Sequence, residues 1–112
     1  MKFSLNSLTK RQIDDALCIT DLFSNVSEIF NLVVADLNGP HATVINHVSE
    51  RIYFILSGEA IVRVDEASYD VQANDLIYIR KGQRHSINGA ARYLVLTAPP
   101  FDPKNETIVA NE

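Results

Sequence analysis

Between residues 28 and 97 the chain consists largely of short β-branched and aromatic runs separated by turn formers, at 28–37, 42–48, 52–56, 60–64, 69–71, 76–80, 85–87 and 92–97. Many short strands at close spacing fold as a sandwich or a barrel. Ser57-Gly58-Glu59 and Asp65-Glu66-Ala67-Ser68 have the composition of hairpin turns, and Lys81-Gly82-Gln83 that of a tight loop. The pattern changes near Ser27. Upstream, residues 9–12 have the spacing of a capping box, and Ile13, Ala16, Leu17 and Ile19 fit a short amphipathic helix. Downstream, Pro99, Pro100 and Pro103 lack backbone donors and cannot join a sheet interior. The expected organisation is an N-terminal extension with a short helix over 1–27 and one β-barrel over 28–100. A tail over 101–112 follows, with Phe101 docked on the barrel and residues 105–112 frayed.

A chain of 112 residues with 46% hydrophobic content suits one such domain. No run of 18 apolar residues is present for a membrane span, and Met-Lys-Phe-Ser-Leu-Asn-Ser lacks the apolar core of a signal peptide, so a cytoplasmic location is expected. With 14 acids against 10 bases the net charge is −4, which argues against nucleic acid or an anionic membrane as partner. The single cysteine, Cys18, has no disulfide partner and reads as a small packing residue.

Residues 39–58 read Gly-Pro-His-Ala-Thr-Val-Ile-Asn-His-Val-Ser-Glu-Arg-Ile-Tyr-Phe-Ile-Leu-Ser-Gly, and 74–89 read Asn-Asp-Leu-Ile-Tyr-Ile-Arg-Lys-Gly-Gln-Arg-His-Ser-Ile-Asn-Gly. Together these stretches resemble the paired motifs of the cupin superfamily. The first motif runs glycine, five residues, His, one residue, His, three or four residues, Glu, six residues, glycine. Laid from Gly39 to Gly58, it puts its histidines at Ile45 and His47 and its Glu at Arg51. The second motif puts its histidine at His85. The resemblance implies an all-β, cupin-type double-stranded β-helix, a jelly-roll barrel, and pairing as a homodimer through sheet edges. Of the four metal ligands it implies, His47 and His85 are kept, while Ile45 and Arg51 replace the others.

Strand alternation puts residues two apart on one face, so Ile45, His47, Arg51, Tyr53 and His85 are expected to share the barrel interior. A dication there would meet repulsion from Arg51. At about 4 Å and an effective dielectric near 20, each unit pair is worth roughly 4 kcal/mol, doubled for a dication. No cofactor is expected, and a divalent metal only if Glu50 or His41 completes a ligand set around His47 and His85. Arg51, Tyr53, Tyr78 and Arg84 are instead candidates for binding a small-molecule ligand, anionic because Arg51 offers a planar fork, with Arg80, Lys81, Arg84 and Arg92 as a basic rim. Such binding is expected to weaken as pH rises through the histidine range. Arg51 has an alternative role as a structural partner of Glu50 or Glu28.

Three functions are consistent with these residues. One is a barrel binding a small anionic molecule. Another is an isomerase or epimerase acting on a sugar or sugar phosphate, with His47 or His85 as the catalytic general base and Arg51 or Arg84 as anion clamp. The third is a degenerate barrel serving dimerisation or partner binding.

Overall fold

The computed structural model describes residues 1–23 and 26–109. Among the described residues nine antiparallel strands form one curled sheet: β1 (Lys10–Gln12), β2 (Leu17–Asp21), β3 (Asn31–Pro40), β4 (Val44–Asn46), β5 (Glu50–Val64), β6 (Ala67–Gln72), β7 (Leu76–Ile79), β8 (Arg84–Ala98) and β9 (Glu106–Ile108). The order is β1-β2-β3-β8-β4-β9, with β5 pairing β6, β7 and β8. This is the all-β jelly-roll barrel expected, in half-barrel form.

Strands β5 and β8 organise the curl. Each is 15 residues long, and they pair from Glu50↔Ala98 to Val64↔His85 with a register shift between Ile55 and Ser57. That one-residue bulge inverts the alternation: Arg51, Tyr53 and Ile55 point inward before it, and Ala60, Val62 and Val64 after it. One strand can thus contribute to both walls. Residues 57–59 are therefore not the hairpin turn expected from their composition. Gly58 has φ +81, and a Cβ there would collide with the carbonyl of Ala90 on β8, so the two strands approach too closely for any side chain. Between the walls lie Leu17, Leu37, Tyr53, Ile55, Val62, Ile79, Ile87 and Tyr93. Asp65-Glu66 and Lys81-Gly82 do form turns.

Both ends of the chain depart from expectation. The helix expected from residues 9–20 is a β1–β2 hairpin, and the helical content nearby is a single 3-10 turn, Leu5–Ser7. Asp14 decides this. Its Oδ1 accepts from the amides of Ala16 and Leu17 at 2.9 Å each, a side-chain-closed turn that competes with helix. The Ile13 amide donates to the Leu17 carbonyl at 2.9 Å, and Leu17 and Ile19 then face the cavity from β2.

The tail is ordered as far as Val109 and does not fray from Asn105; residues 110–112 lie outside the described residues. The Phe101 amide donates to Asn31 Oδ1 at 2.8 Å, Asp102 caps a 3-10 turn at Pro103–Asn105, and β9 pairs with β4. No helix among the described residues is long and apolar enough to cross a membrane.

Candidate functional site

The curl encloses a cavity of about 410 Å3. Its apolar wall is Leu17, Ile19, Val33, Ala35 and Val95, and its polar end carries His41, Arg51, Tyr53, Tyr93, Thr97 and Glu106.

Arg51 is the centre of that polar end. It is 8% exposed, and its Nη2 lies 2.6 Å from Glu106 Oε1, Nη1 3.3 Å from His85 Nε2 and Nε 3.4 Å from Thr97 Oγ1. The Phe101 ring covers the guanidinium at 5.6 Å. The partner of Arg51 is thus Glu106, not Glu50 or Glu28, and Asn46 Nδ2 also reaches Glu106 Oε1 at 3.4 Å.

His85 is 2% exposed. A carbonyl can only accept, so the 3.1 Å contact from Nδ1 to the Gln83 carbonyl places the ring proton on Nδ1 and leaves Nε2 to accept from Arg51. Burial holds its pKa down at about 4, opposed by the Gln83 hydrogen bond and reinforced by the charge of Arg51. His85 is therefore neutral throughout the physiological range, and the expected strengthening of anion binding by its protonation does not apply.

This depression has a consequence for stability. Between pH 6.5 and 4 an unfolded histidine takes up a proton that folded His85 does not. Stability is therefore highest above pH 6.5 and falls as pH drops toward 4, by about 3 kcal/mol from this residue. Urea denaturation across that interval should show the slope in wild type, and His85→Gln, which keeps an acceptor for Arg51, should remove it.

His47 is not in the cavity. On β4 the inward residues are Val44, paired with His85, and Asn46; Ile45 pairs with Arg84 on the other face. His47 is exposed, its Nε2 2.8 Å from Thr107 Oγ1. The register of the first motif is corrected by one residue: its histidine positions are Val44 and Asn46, and the four-residue spacing then leads to Arg51. The interior metal set thus becomes Val44, Asn46, Arg51 and His85, with one imidazole, itself engaged by Arg51. That set does not fit a divalent metal. Among the described residues no group of three or more His, Cys, Asp or Glu side chains could hold one.

Two other expected ligand residues lie elsewhere. Tyr78 is exposed and donates to Glu50 Oε1 at 2.6 Å, with Arg80 against its ring at 5.9 Å. The hydrogen bond to Glu50 raises the Tyr78 pKa. Arg84 lines a second groove of about 760 Å3 with Arg63, Asp65, Glu66 and His85, and His41 lines both spaces. That groove is larger, but Arg51, Tyr53, Tyr93, Thr97 and Glu106 line the smaller cavity and not the groove. Arg92 of the expected basic rim is 3.2 Å from Asp36.

Tyr93, Thr97 and Glu106 of the cavity were not singled out by sequence, nor were Arg11, Asp21 and Asn31 of its lining or the Asp14 that pairs with His41. Tyr93 and Thr97 share the inward phase of β8, a signal present in the alternation. Asp14 Oδ2 is 2.7 Å from His41 Nδ1. Burial pushes the Asp14 carboxyl up, but the hydrogen bonds from His41, Ala16 and Leu17 outweigh it and leave the pKa below its ordinary value. A carboxylate only accepts, so the shared proton sits on His41 Nδ1. Tyr53 and Tyr93 are 4% and 1% exposed with ring centroids 5.0 Å apart, and among the described residues neither hydroxyl has a hydrogen-bond partner. Burial raises the pKa of both, so both phenols stay protonated.

A family model described as the cupin domain matches residues 32–97. The chain is a cupin. An uncharacterized protein of Methanocaldococcus jannaschii is 29% identical over 68 residues, 57% of this cupin and 54% of that protein, so this cupin spans about half the length of the curated relative it matches. Among solved structures, the Streptomyces nucleoside dehydratase Pac13 superposes with a TM-score of 0.88 at 19% identity, covering 97% of this cupin and 90% of that chain. Bacillus subtilis oxalate decarboxylase gives 0.82 at 19% identity, covering 96% of this cupin and 31% of that chain. A protein from Planctomyces limnophilus gives 0.85 at 21%, covering 95% and 94%. At these identities the likeness is one of fold.

Proposed function

We propose that this cupin binds a small hydroxylated molecule of sugar or nucleoside size in the central cavity. The observation that carries this reading is the pair of tyrosines, Tyr53 and Tyr93, whose rings are buried on the cavity wall and whose hydroxyls have no hydrogen-bond partner among the described residues. Each hydroxyl can donate to a ligand hydroxyl or carbonyl in the cavity and accept from a ligand hydroxyl. A cavity of about 410 Å3 is within the range of small-molecule sites. Glu106 pairs with Arg51 and Asp21, 2.7 Å from Arg11, pairs with the other cavity arginine, so a neutral ligand meets no uncompensated charge there.

Calorimetry with uridine and with free pentoses tests the reading. Tyr53→Phe and Tyr93→Phe should each weaken binding about tenfold, as expected for a hydrogen bond lost from a buried ligand group. Neither should lower the melting temperature, since neither hydroxyl has a partner among the described residues. Phenylalanine variants that bind as wild type does would sink the proposal.

The His41–Asp14 pair favours a second, catalytic reading. His47 lies outside the cavity and His85 Nε2 is taken by Arg51, so the general base passes to His41, whose Nε2 has no partner among the described residues. Asp14 would orient the ring, His41 would take a proton from carbon beside a carbonyl, and a tyrosine would protonate the departing hydroxyl. Both isomerisation and dehydration begin with that proton abstraction. Solved structures of the similar nucleoside dehydratase include Tyr-to-Phe and His-to-Gln variants with uridine. The cavity here presents the same residue types. In this reading His41→Gln abolishes turnover while leaving binding within a few fold.

A further inference from the structure

We infer that the Arg51 guanidinium is a carboxylate-recognition subsite of this cavity, occupied by the chain's own Glu106 as a stand-in for the carboxylate of a ligand. The inference rests on the reading of the cavity as a small-molecule site and specifies what charged group that molecule can carry.

The Arg51–Glu106 contact is made at Nη2 to Oε1, 2.6 Å, and a guanidinium fork can accommodate a carboxylate through two parallel hydrogen bonds. Its other contacts, His85 and Thr97, are neutral acceptors at 3.3 and 3.4 Å. The two sides of the pair are held very differently. Arg51 sits on β5, paired with both β7 and β8. Glu106 arrives on three-residue β9, which among the described residues pairs only with three-residue β4, supplemented by the Val109 amide on the Thr43 carbonyl at 2.8 Å and the His47 amide on the Asn105 carbonyl at 2.9 Å. Phe101 and Pro103 of the same terminal segment also line the cavity. A ligand carboxylate that engaged the fork with both oxygens would keep Arg51 neutralised and release Glu106 toward solvent, loosening β9 from β4. The buried charge is never left unpaired along this route, which is what makes the exchange accessible.

Acetate, titrated against chloride at constant ionic strength, is the probe. Its binding is read from the Arg51 Nε–H resonance and from hydrogen exchange of the Val109 amide. Glu106→Gln preserves the shape and an acceptor for Arg51 and Asn46, so the variant should fold. It should bind acetate at least about tenfold more tightly than wild type, the usual scale of a charge-assisted contact. In wild type, saturating acetate should speed Val109 exchange, and adding Arg51→Met to Glu106→Gln should abolish the gain. Equal acetate affinity in wild type and Glu106→Gln, including no binding by either, overturns the inference, as does a gain that survives Arg51→Met. If uridine fails to bind while the acetate results hold, the hydroxylated-ligand reading falls and the subsite stands. If uridine binds and Glu106→Gln leaves acetate affinity unmoved, the subsite alone falls.

Discussion

Replacing Arg51 with methionine is expected to destabilise the fold by about 3 to 5 kcal/mol, the usual cost of removing one partner of a buried ion pair. Glu106 has a side chain only 15% exposed, and without Arg51 its nearest donor is the Asn46 amide at 3.4 Å. For a domain of this size the loss corresponds to roughly 10 °C or more in melting temperature. The companion expectation separates the burden of an orphaned charge from the worth of the pair. Arg51→Met combined with Glu106→Leu should recover most of the loss, because paired buried charges and apolar groups of similar volume are often near equal in stability. A double-mutant cycle in urea reads the coupling directly. Additive losses in the double variant would mean that Arg51 and Glu106 contribute independently.

The second large effect is a gain of metal binding on rebuilding the interior ligand set. Val44→His, Asn46→His and Arg51→Glu together place three imidazoles and a carboxylate around one point with His85. Such a set should take up Co2+ or Zn2+ at roughly micromolar concentration or below. The control is as informative as the variant. Ile45→His with Arg51→Glu, which the alternative register would favour, should gain little, because Ile45 lies on the face of β4 opposite His85. Cobalt absorption in the visible distinguishes the two.

That contrast shows where the sequence was readable and where it was not. The barrel was legible because β-branched alternation is a local signal, and Arg51, Tyr53 and His85 were placed inward correctly by it. The first motif was ambiguous for a physical reason: three- and four-residue spacings both reach Arg51, and a shift of one residue on a strand exchanges inside for outside. Hence His47, chosen by spacing, is on the surface, while Asn46 is 2% exposed in the interior. The bulge at Leu56 looked like a turn because Ser57, Gly58 and Glu59 are turn formers whose conformation is set by β8, a partner far away in sequence. Asp14 and Glu106 were invisible for the same reason. Asp14 meets His41 27 residues away, and Glu106 reaches Asn46 60 residues away, pairings created by the hairpin and by β9 rather than by any local pattern.

The central claim is that a guanidinium paired with a carboxylate replaces a metal at the heart of this cupin. Its most direct test is elemental analysis of wild-type protein and the Val44→His, Asn46→His, Arg51→Glu variant, each produced with manganese, iron and zinc in excess and purified without chelator. The wild-type chain should carry far less than one ion, and the variant about one per chain. A wild-type chain holding about one ion that only a strong chelator removes would contradict the account.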